Sequence, residues 1–433
     1  MPPTQVSRWR NALTGALGGL AGGLVGAGFV VCVTLTLKTM LEAVMRQATW
    51  LLVAIPFVGL ALTMAVLQGI GRREGDAPSS PWRTFPAGTV PADITGDVID
   101  SAGREEQFPW RLAPLRALAI LTTVGFGSAM GTESPAAYLG VAAGACLGDR
   151  GRRWRRILRP AALGAGAAGV AALMGIALVG TGYMLELGRR NRAPLDVERV
   201  VAAVVGGCIG WGIDQVFGLD LLRLIVPHEA PTSFAQAAIT AVLIGAISGA
   251  ITSLAGAAIY RAKKWRAAPR VRLAVGGLAA ALVAVMLVLV AEPSAAVGPG
   301  GAAILWAENR HALPITLLAV ALLRAAATTS AAAAGGCGGI FVPFIAVGDL
   351  AGRVFAPGLG VGNDLAAAAG AAGGIAGGYA LPFTAVAMVL GVGGPHLATL
   401  TCLATVVIAF LAGSAVTALV KRFEEIVHAA AAH

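Results

Sequence analysis

Long stretches without a charged residue are the feature that most restricts what this chain can fold into. Several of them reach or exceed the roughly 17–25 residues that a helix needs to cross the hydrocarbon core of a bilayer. Among them are 11–37, 48–70, 161–185, 231–260, 273–291 and 365–420. Of the 433 residues 12% are charged, about half the share in soluble domains. The sequence predicts an all-α polytopic membrane protein, 1–433, formed as a single transmembrane domain.

The first apolar stretch is too long for the core of a signal peptide, and no small-residue cleavage site follows it. We therefore expect it to be kept as a helix. The five cysteines stand singly in apolar surroundings, without a C-x-x-C pair, which favours packing over metal or disulfide roles. They are Cys32, Cys146, Cys208, Cys337 and Cys402. No cofactor is expected.

The net charge of +10 is concentrated in three short basic segments, 150–159, 189–192 and 261–272. Basic loops between apolar segments are typical of the cytoplasmic side of membrane proteins and of contact with anionic headgroups. Nucleic acid is not an expected partner, because the basic segments interrupt membrane spans and belong to no recognisable module. The segment after Lys421 is short, so no cytoplasmic regulatory domain is expected.

An internal repeat indicates two related halves. Residues 165–186 resemble 369–391, and a Gly/Pro-broken apolar segment precedes each, 131–145 in one case and 338–352 in the other. The longer segments start 204 residues apart, and their upstream prolines, Pro135 and Pro343, are 208 apart. Broken hydrophobic segments at corresponding positions of two halves are typical of transporters, with the binding site where the repeats meet. The predicted halves are residues 11–192 and 198–420.

The broken segments predict helix starts within the membrane. Proline lacks an N–H and fits the first turn of a helix, so Pro135 and Pro343 are predicted near helix starts, and Pro91 near a third. The free N–H groups and the positive dipole end of such a start form an anion site. Glu133 is the one charged residue between Ala117 and Gly148. Its carboxylate would compete for that site and leave it when protonated; the alternative is a carboxylate that only caps a helix.

Two motifs carry a resemblance to a known family. "GTESP" (131–135) resembles the G-[KR]-E-G-P motif of the CLC family of chloride channels and chloride/proton exchangers, and "GGIFVP" (338–343) resembles its G-G-x-F-x-P motif. Arg116 and Arg324 stand where that family has basic residues. The resemblance extends from about residue 85 to Phe410. It implies a divergent prokaryotic-type member, with two inverted-topology repeats of broken and tilted helices.

The resemblance implies roles for particular residues. Glu133 would be the gate of an anion pathway. The backbone around both motifs, with a third family motif that falls on "AGTVP" (87–91), would line the anion sites. The anion-lining residues would be Gly88, Thr89, Thr132, Ser134, Gly339, Ile340 and Phe341. The transported species would be chloride or a similar small anion, with protons as a second candidate.

The resemblance also implies a homodimer in a bacterial plasma membrane. The Gly-rich helices 161–186 and 369–390 would contribute to the dimer interface.

The chain also departs from the family pattern. The inner proton glutamate of the exchangers would fall at Leu187, with Glu186 just before it as the candidate substitute on a proton path. The segment 411–420, where a pore tyrosine is expected, has none. Thr132 replaces a cation and Ser134 a glycine. These departures leave both a channel and a proton-coupled exchanger open.

Two other classes of function are alternatives to anion transport, an intramembrane enzyme and a non-conducting scaffold. An intramembrane enzyme would need a nucleophile–base pair or metal ligands. However, of the five histidines just one pair, His428 and His433, has metal-binding spacing, and the sequence contains neither H-E-x-x-H nor G-x-S-x-G. The sequence therefore does not predict an enzyme. A non-conducting, CLC-like membrane scaffold is the other alternative, because motif positions are altered.

Overall fold

The computed structural model describes residues 3–74, 93–218, 233–265, 267–310, 312–393 and 400–431. The α-helices before residue 219 are α1 (Pro3–Met45), α2 (Thr49–Glu74), α3 (Ile94–Asp100), α4 (Ala113–Val124), α5 (Glu133–Arg150), α6 (Arg155–Leu158), α7 (Ala161–Met174), α8 (Ala177–Arg190) and α9 (Val197–Phe217). Those after residue 232 are α10 (Phe234–Lys264), α11 (Pro269–Arg272), α12 (Leu278–Val290), α13 (Pro293–Ala296), α14 (Gly301–Asn309), α15 (Pro314–Ala333), α16 (Phe341–Leu359), α17 (Asn363–Gly378), α18 (Pro382–Gly393) and α19 (Leu400–Ala431).

Eight helical segments of the described residues are long and apolar enough to cross a membrane. They are Arg8–Met45, Thr49–Gln68, Val197–Phe217, Phe234–Lys264, Pro269–Val290, Pro314–Ala333, Phe341–Leu359 and Thr401–Phe423. The predicted all-α polytopic membrane protein is confirmed.

One predicted crossing is wrong. The stretch 161–185 does not form a single span, because α7 ends at Gly175, whose φ of +66° is left-handed, and α8 starts at Ala177. Glycine adopts this backbone without a steric penalty, so it is suited to end a helix there. The stretch 365–420, whose length allows more than one crossing, divides between α17, α18 and α19.

The helices form two corresponding sets. In the first, α7 packs against α1, α5 and α9; in the second, α17 packs against α10, α16 and α19. Small residues allow the close approach in both: a side chain on Gly206 would meet the Gly164 backbone, and one on Gly413 the Gly373 backbone. Helix α9 packs against α1 and α7 of the first set. The predicted halves, 11–192 and 198–420, instead assign almost all of α9 to the second half.

Helices α7 and α17 lie inside the protein. Every residue of α7 is buried, and so are nearly all residues of α17 between Leu365 and Ala376. An Ala/Gly surface that is already covered by three helices of the same chain has no area left for a second copy. Within the predicted interface segments 161–186 and 369–390, the surface left for a second copy therefore belongs to α8 and α18, and the homodimer interface stays a prediction.

Candidate functional site

The two motif loops pair with each other at the centre of the molecule. Gly131 and Gly339 form an antiparallel bridge, in which each N–H donates to the other residue's carbonyl, at 2.7 Å from Gly131 and 2.8 Å from Gly339. Pro135 is the third residue of α5 and Pro343 the third residue of α16. The bridge holds the starts of α5 and α16 together.

Glu133, the first residue of α5, joins the two helix starts. Its side chain is fully buried, and its Oε1 accepts a hydrogen bond from the Phe341 N–H, the first of α16, at 2.8 Å. Its Oε2 has no hydrogen-bond partner among the described residues. The first N–H groups of a helix have no partner within the helix, and the dipole makes that end positive. The carboxylate therefore occupies a place where two helices favour an anion.

The two bridging glycines make room for this carboxylate. A methyl group on either Gly131 or Gly339 would overlap the Glu133 carboxylate, and on Gly339 it would also touch the Ser134 hydroxyl. Glu133 can therefore occupy its observed position only because both neighbouring residues are glycine.

The other residues predicted to line an anion site lie around Glu133 where the structure describes them. Thr132 and Ile340 precede the first residues of α5 and α16, without a side-chain cap bond. Ser134, Gly339 and Phe341 are adjacent to the carboxylate or bonded to it. The predicted residues Gly88, Thr89 and Pro91 lie outside the described residues.

Two tyrosines that were missed in the sequence also reach this site. The Tyr183 and Tyr379 hydroxyls lie 2.9 Å and 3.3 Å from Ser134 Oγ. The Phe341 ring packs edge-on against both, at centroid distances of 5.8 Å and 5.7 Å. Tyr183 is on α8 and Tyr379 directly follows α17. A signal was available, since the chain has only four tyrosines and these two interrupt apolar stretches.

Glu186 has a different neighbourhood. Its Oε1 accepts the Phe383 N–H at 2.7 Å, and its Oε2 accepts the N–H and the hydroxyl of Thr384 at 2.8 Å and 2.6 Å. Because Phe383 and Thr384 are in the first turn of α18, the carboxylate caps that helix. Leu187 is buried in the apolar core.

The two basic residues singled out in the sequence are both buried. The Arg116 Nη2 donates to Asp97 Oδ2 at 3.0 Å. Arg324 donates to the carbonyls of Ala295 and Gly298 at 3.3 Å and 2.6 Å. Neither donates to Glu133 within the described part of the chain, so the charge of that carboxylate is balanced by helix starts.

Three comparisons with known proteins agree with this architecture. A family model described as voltage gated chloride channel matches residues 92–414. The chain is 24% identical over 425 residues to the H(+)/Cl(-) exchange transporter ClcA of Yersinia pestis bv. Antiqua (strain Angola), covering 92% of this chain and 84% of that protein. It is 23% identical over 366 residues to the voltage-gated ClC-type chloride channel ClcB of Escherichia coli O9:H4 (strain HS), covering 83% and 71%.

Solved structures show the same fold. A CLC-type fluoride/proton antiporter superposes with a TM-score of 0.67 at 20% identity, covering 96% of this chain and 97% of that one. A slow cyanobacterial Cl-/H+ antiporter superposes with a TM-score of 0.65 at 19% identity, covering 95% of both chains.

Proposed function

Because the chain belongs to the CLC family of voltage-gated chloride channels, we propose that it moves chloride or a similar small anion across the membrane, with Glu133 as the gate. The observation that carries this proposal is the hydrogen bond from the Phe341 N–H to Glu133 Oε1 at 2.8 Å. Through this hydrogen bond, the carboxylate of the 131–135 motif lies at the helix start of the 338–343 motif. The protein is an integral membrane protein, and we place it in a bacterial plasma membrane.

The gate works because the Glu133 carboxylate and a transported anion compete for the same site. An anion arriving at the starts of α5 and α16 needs the same N–H donors and dipole ends that Glu133 uses. Partial charges of helix ends attract the anion without the strong binding of a full positive charge, so the anion can also leave. The ionised carboxylate blocks the site, and its departure opens it.

Protons enter through the same carboxylate. Protonation removes the negative charge that the two helix starts stabilise, so protonated Glu133 competes less well with an anion. Protonation increases as the pH falls, and anion flux is expected to rise with it. The exchange activity in the name of ClcA supports protons as a second transported species; the name of ClcB supports a channel. Both modes use this gate.

Chloride efflux from liposomes containing the purified protein, measured at several pH values, tests the gate. Glu133→Gln resembles the protonated form, so it is expected to conduct at all pH values, without pH dependence and without proton movement. Glu308→Gln is the control, because Glu308 is exposed on α14 and outside the site.

A Glu133→Gln protein that keeps the native pH dependence would refute the gate and favour the capping role. An absence of efflux from both proteins would favour a non-conducting scaffold.

We also propose that the protein is a homodimer. Since α7 and α17 are covered within one chain, the contact would involve α8 and α18, which pack against each other. Within the segments 161–186 and 369–390, the large hydrophobic residues that are exposed are Leu178 on α8 (46%) and Phe383 on α18 (50%) among the described side chains.

A further inference from the structure

A cluster of three hydroxyl groups lies beside the gate. We call Ser134, Tyr183 and Tyr379 the hydroxyl cluster. Ser134 and Tyr183 are 1% and 0% exposed, and Tyr379 is 5% exposed. Ser134 Oγ is the shared member, 2.9 Å from the Tyr183 hydroxyl and 3.3 Å from the Tyr379 hydroxyl. Polar groups buried this deeply in a membrane protein are uncommon and often functional.

The cluster has one proton more than its own hydrogen bonds use. Three hydroxyls have three protons, and two hydrogen bonds use two of them. The remaining O–H is available to a neighbouring acceptor. Glu133 Oε2 is fully buried and has no partner among the described residues. A methyl group added to Gly339 would meet both the Glu133 carboxylate and Ser134 Oγ. The unpaired donor and the unpaired acceptor are therefore close together.

One face of α8 leads from the cluster to the surface. Tyr183, Glu186 and Arg190 are spaced i, i+3 and i+7, so they follow one another along one side of the helix. Residues three apart on a helix have Cβ atoms about 5–6 Å apart. Arg190 is exposed, and its guanidinium carbon lies 5.7 Å from the Tyr379 ring centroid. Leu187, next to Glu186, has no protonatable group.

We propose that the hydroxyl cluster relays protons between Glu133 and this face of α8. The proposal rests on the proposed function, in which Glu133 opens when protonated. A tyrosine hydroxyl accepts a proton from the α8 side and passes its own to Ser134 Oγ. Ser134 passes its proton to Glu133 Oε2. One proton is transferred in total, each hydroxyl is restored, and no electrons move.

The charged groups on neighbouring elements do not compete for this role, because the structure gives each of them another contact. Asp97 of α3 forms an ion pair with Arg116 of α4, and Asp349 forms one with Arg353 within α16. On α8, the Arg190 guanidinium lies over the Tyr379 ring. Of the described groups around the start of α5, Glu133 is thus the acidic side chain next to the cluster.

A role of the hydroxyls as anion ligands is the competing explanation. An anion held by more than the one spare O–H would have to break a hydrogen bond within the cluster, whereas a relay uses both hydrogen bonds as they are. The two roles also differ in their dependence on Glu133. A relay matters only while Glu133 is protonated and deprotonated, but an anion ligand matters for every anion that passes.

The test combines Tyr183→Phe with Tyr379→Phe and measures chloride efflux and proton uptake in liposomes. Phenylalanine keeps the ring packing against Phe341 and removes the hydroxyls. In the native background, acid-stimulated efflux and proton uptake are expected to slow by about 100-fold, the low end of what a positioned proton-transfer group contributes. In the Glu133→Gln background, efflux is expected to stay at the rate of Glu133→Gln alone.

Ser134→Ala removes the shared hydroxyl and, in the native background, is expected to slow acid-stimulated efflux and proton uptake as the double variant does, which gives a second variant if the first fails to fold. Tyr138→Phe is the control, because Tyr138 is equally buried and its hydroxyl has no hydrogen-bond partner among the described residues. Native kinetics in the double variant and in Ser134→Ala would overturn the relay. Loss of efflux in the Glu133→Gln background would overturn it in favour of anion ligands. An absence of efflux from native protein and Glu133→Gln alike would instead reject the proposed function.

Discussion

At the scale of single residues, the site depends on two glycines that leave space for the Glu133 carboxylate. Gly131 and Gly339 have no side chains, and this leaves space for the Glu133 carboxylate against the start of α16. Ser134 adds a hydroxyl where the family pattern has a glycine, and that hydroxyl is the meeting point of two tyrosines. Small changes at these positions therefore alter both the space and the hydrogen bonds of the gate.

Gly339→Ala is expected to displace the gate. The added methyl would overlap the Glu133 carboxylate in its observed position, so the hydrogen bond from the Phe341 N–H should be lost. In liposomes, chloride efflux at high pH should increase towards that of Glu133→Gln, with a weaker dependence on pH.

Gly358→Ala, on α16 with nothing near its added methyl, is the matched control and should behave as native protein. If both alanine variants gate normally, the observed position of Glu133 does not block the pathway.

At the scale of helices, carboxylates lie at the starts of α5, α16 and α18. Glu133 binds the start of α16 while standing at the start of α5, and Glu186 of α8 binds the start of α18. A carboxylate at a helix start accepts N–H groups that have no partner in the helix and interacts favourably with the dipole. The difference is in the contacts: Glu186 has three hydrogen bonds at α18, and Glu133 leaves one oxygen unpaired.

Glu186→Gln is expected to destabilise the protein, because an amide has one acceptor oxygen and its NH₂ would face the donors of Phe383 and Thr384. The free energy of unfolding should fall by about 1.5–3 kcal/mol, as for hydrogen bonds to a charged group, which is measured as a lower unfolding temperature in detergent. If Glu186 also delivers protons, proton uptake should stop while chloride efflux continues.

Glu308→Gln, which removes an exposed carboxylate, is the control for both measurements. Unchanged stability would contradict the capping role, and unchanged proton uptake would remove Glu186 from the proton path.

At the scale of the whole molecule, two corresponding sets of helices enclose the site. Each set has an Ala/Gly-rich central helix, α7 or α17, surrounded by three others. The start of α5 comes from one set and that of α16 from the other, so the site is complete only when both sets are in place. The outer surface is apolar on the spans and is available to lipid or to a second copy.

Replacing Leu178 and Phe383 together by arginine is expected to dissociate the proposed dimer. Two charges would then be buried in an apolar contact without partners, which is unfavourable. The mass in mild detergent should fall from two chains to one, with chloride efflux retained if each chain has its own pathway.

The same double substitution at Leu278 and Leu282 of α12, which are also exposed, is the control for a charged membrane surface. A mass of two chains in both variants would place the contact elsewhere.

The class of the protein, the two broken segments and Glu133 follow from the sequence alone. Hydrophobicity, the absence of charge and proline are local properties, so the membrane helices, the helix starts near Pro135 and Pro343 and the isolated carboxylate can be found without knowing the path of the chain. The similar offsets of 204 and 208 residues between corresponding segments also indicate that the two starts correspond.

Other features were decided only by the tertiary structure. Tyr183 and Tyr379 meet Ser134 across 49 and 245 residues of chain, and no local pattern encodes that meeting. The break at Gly175 and the burial of α7 also depend on how helices surround it, because Ala/Gly-rich segments are equally suited to lie inside one chain or between two. Contacts of this kind depend on the path of the whole backbone. Glu133 can therefore be identified from the sequence, whereas its contacts with the start of α16 and the two tyrosines beside Ser134 are set by the tertiary structure.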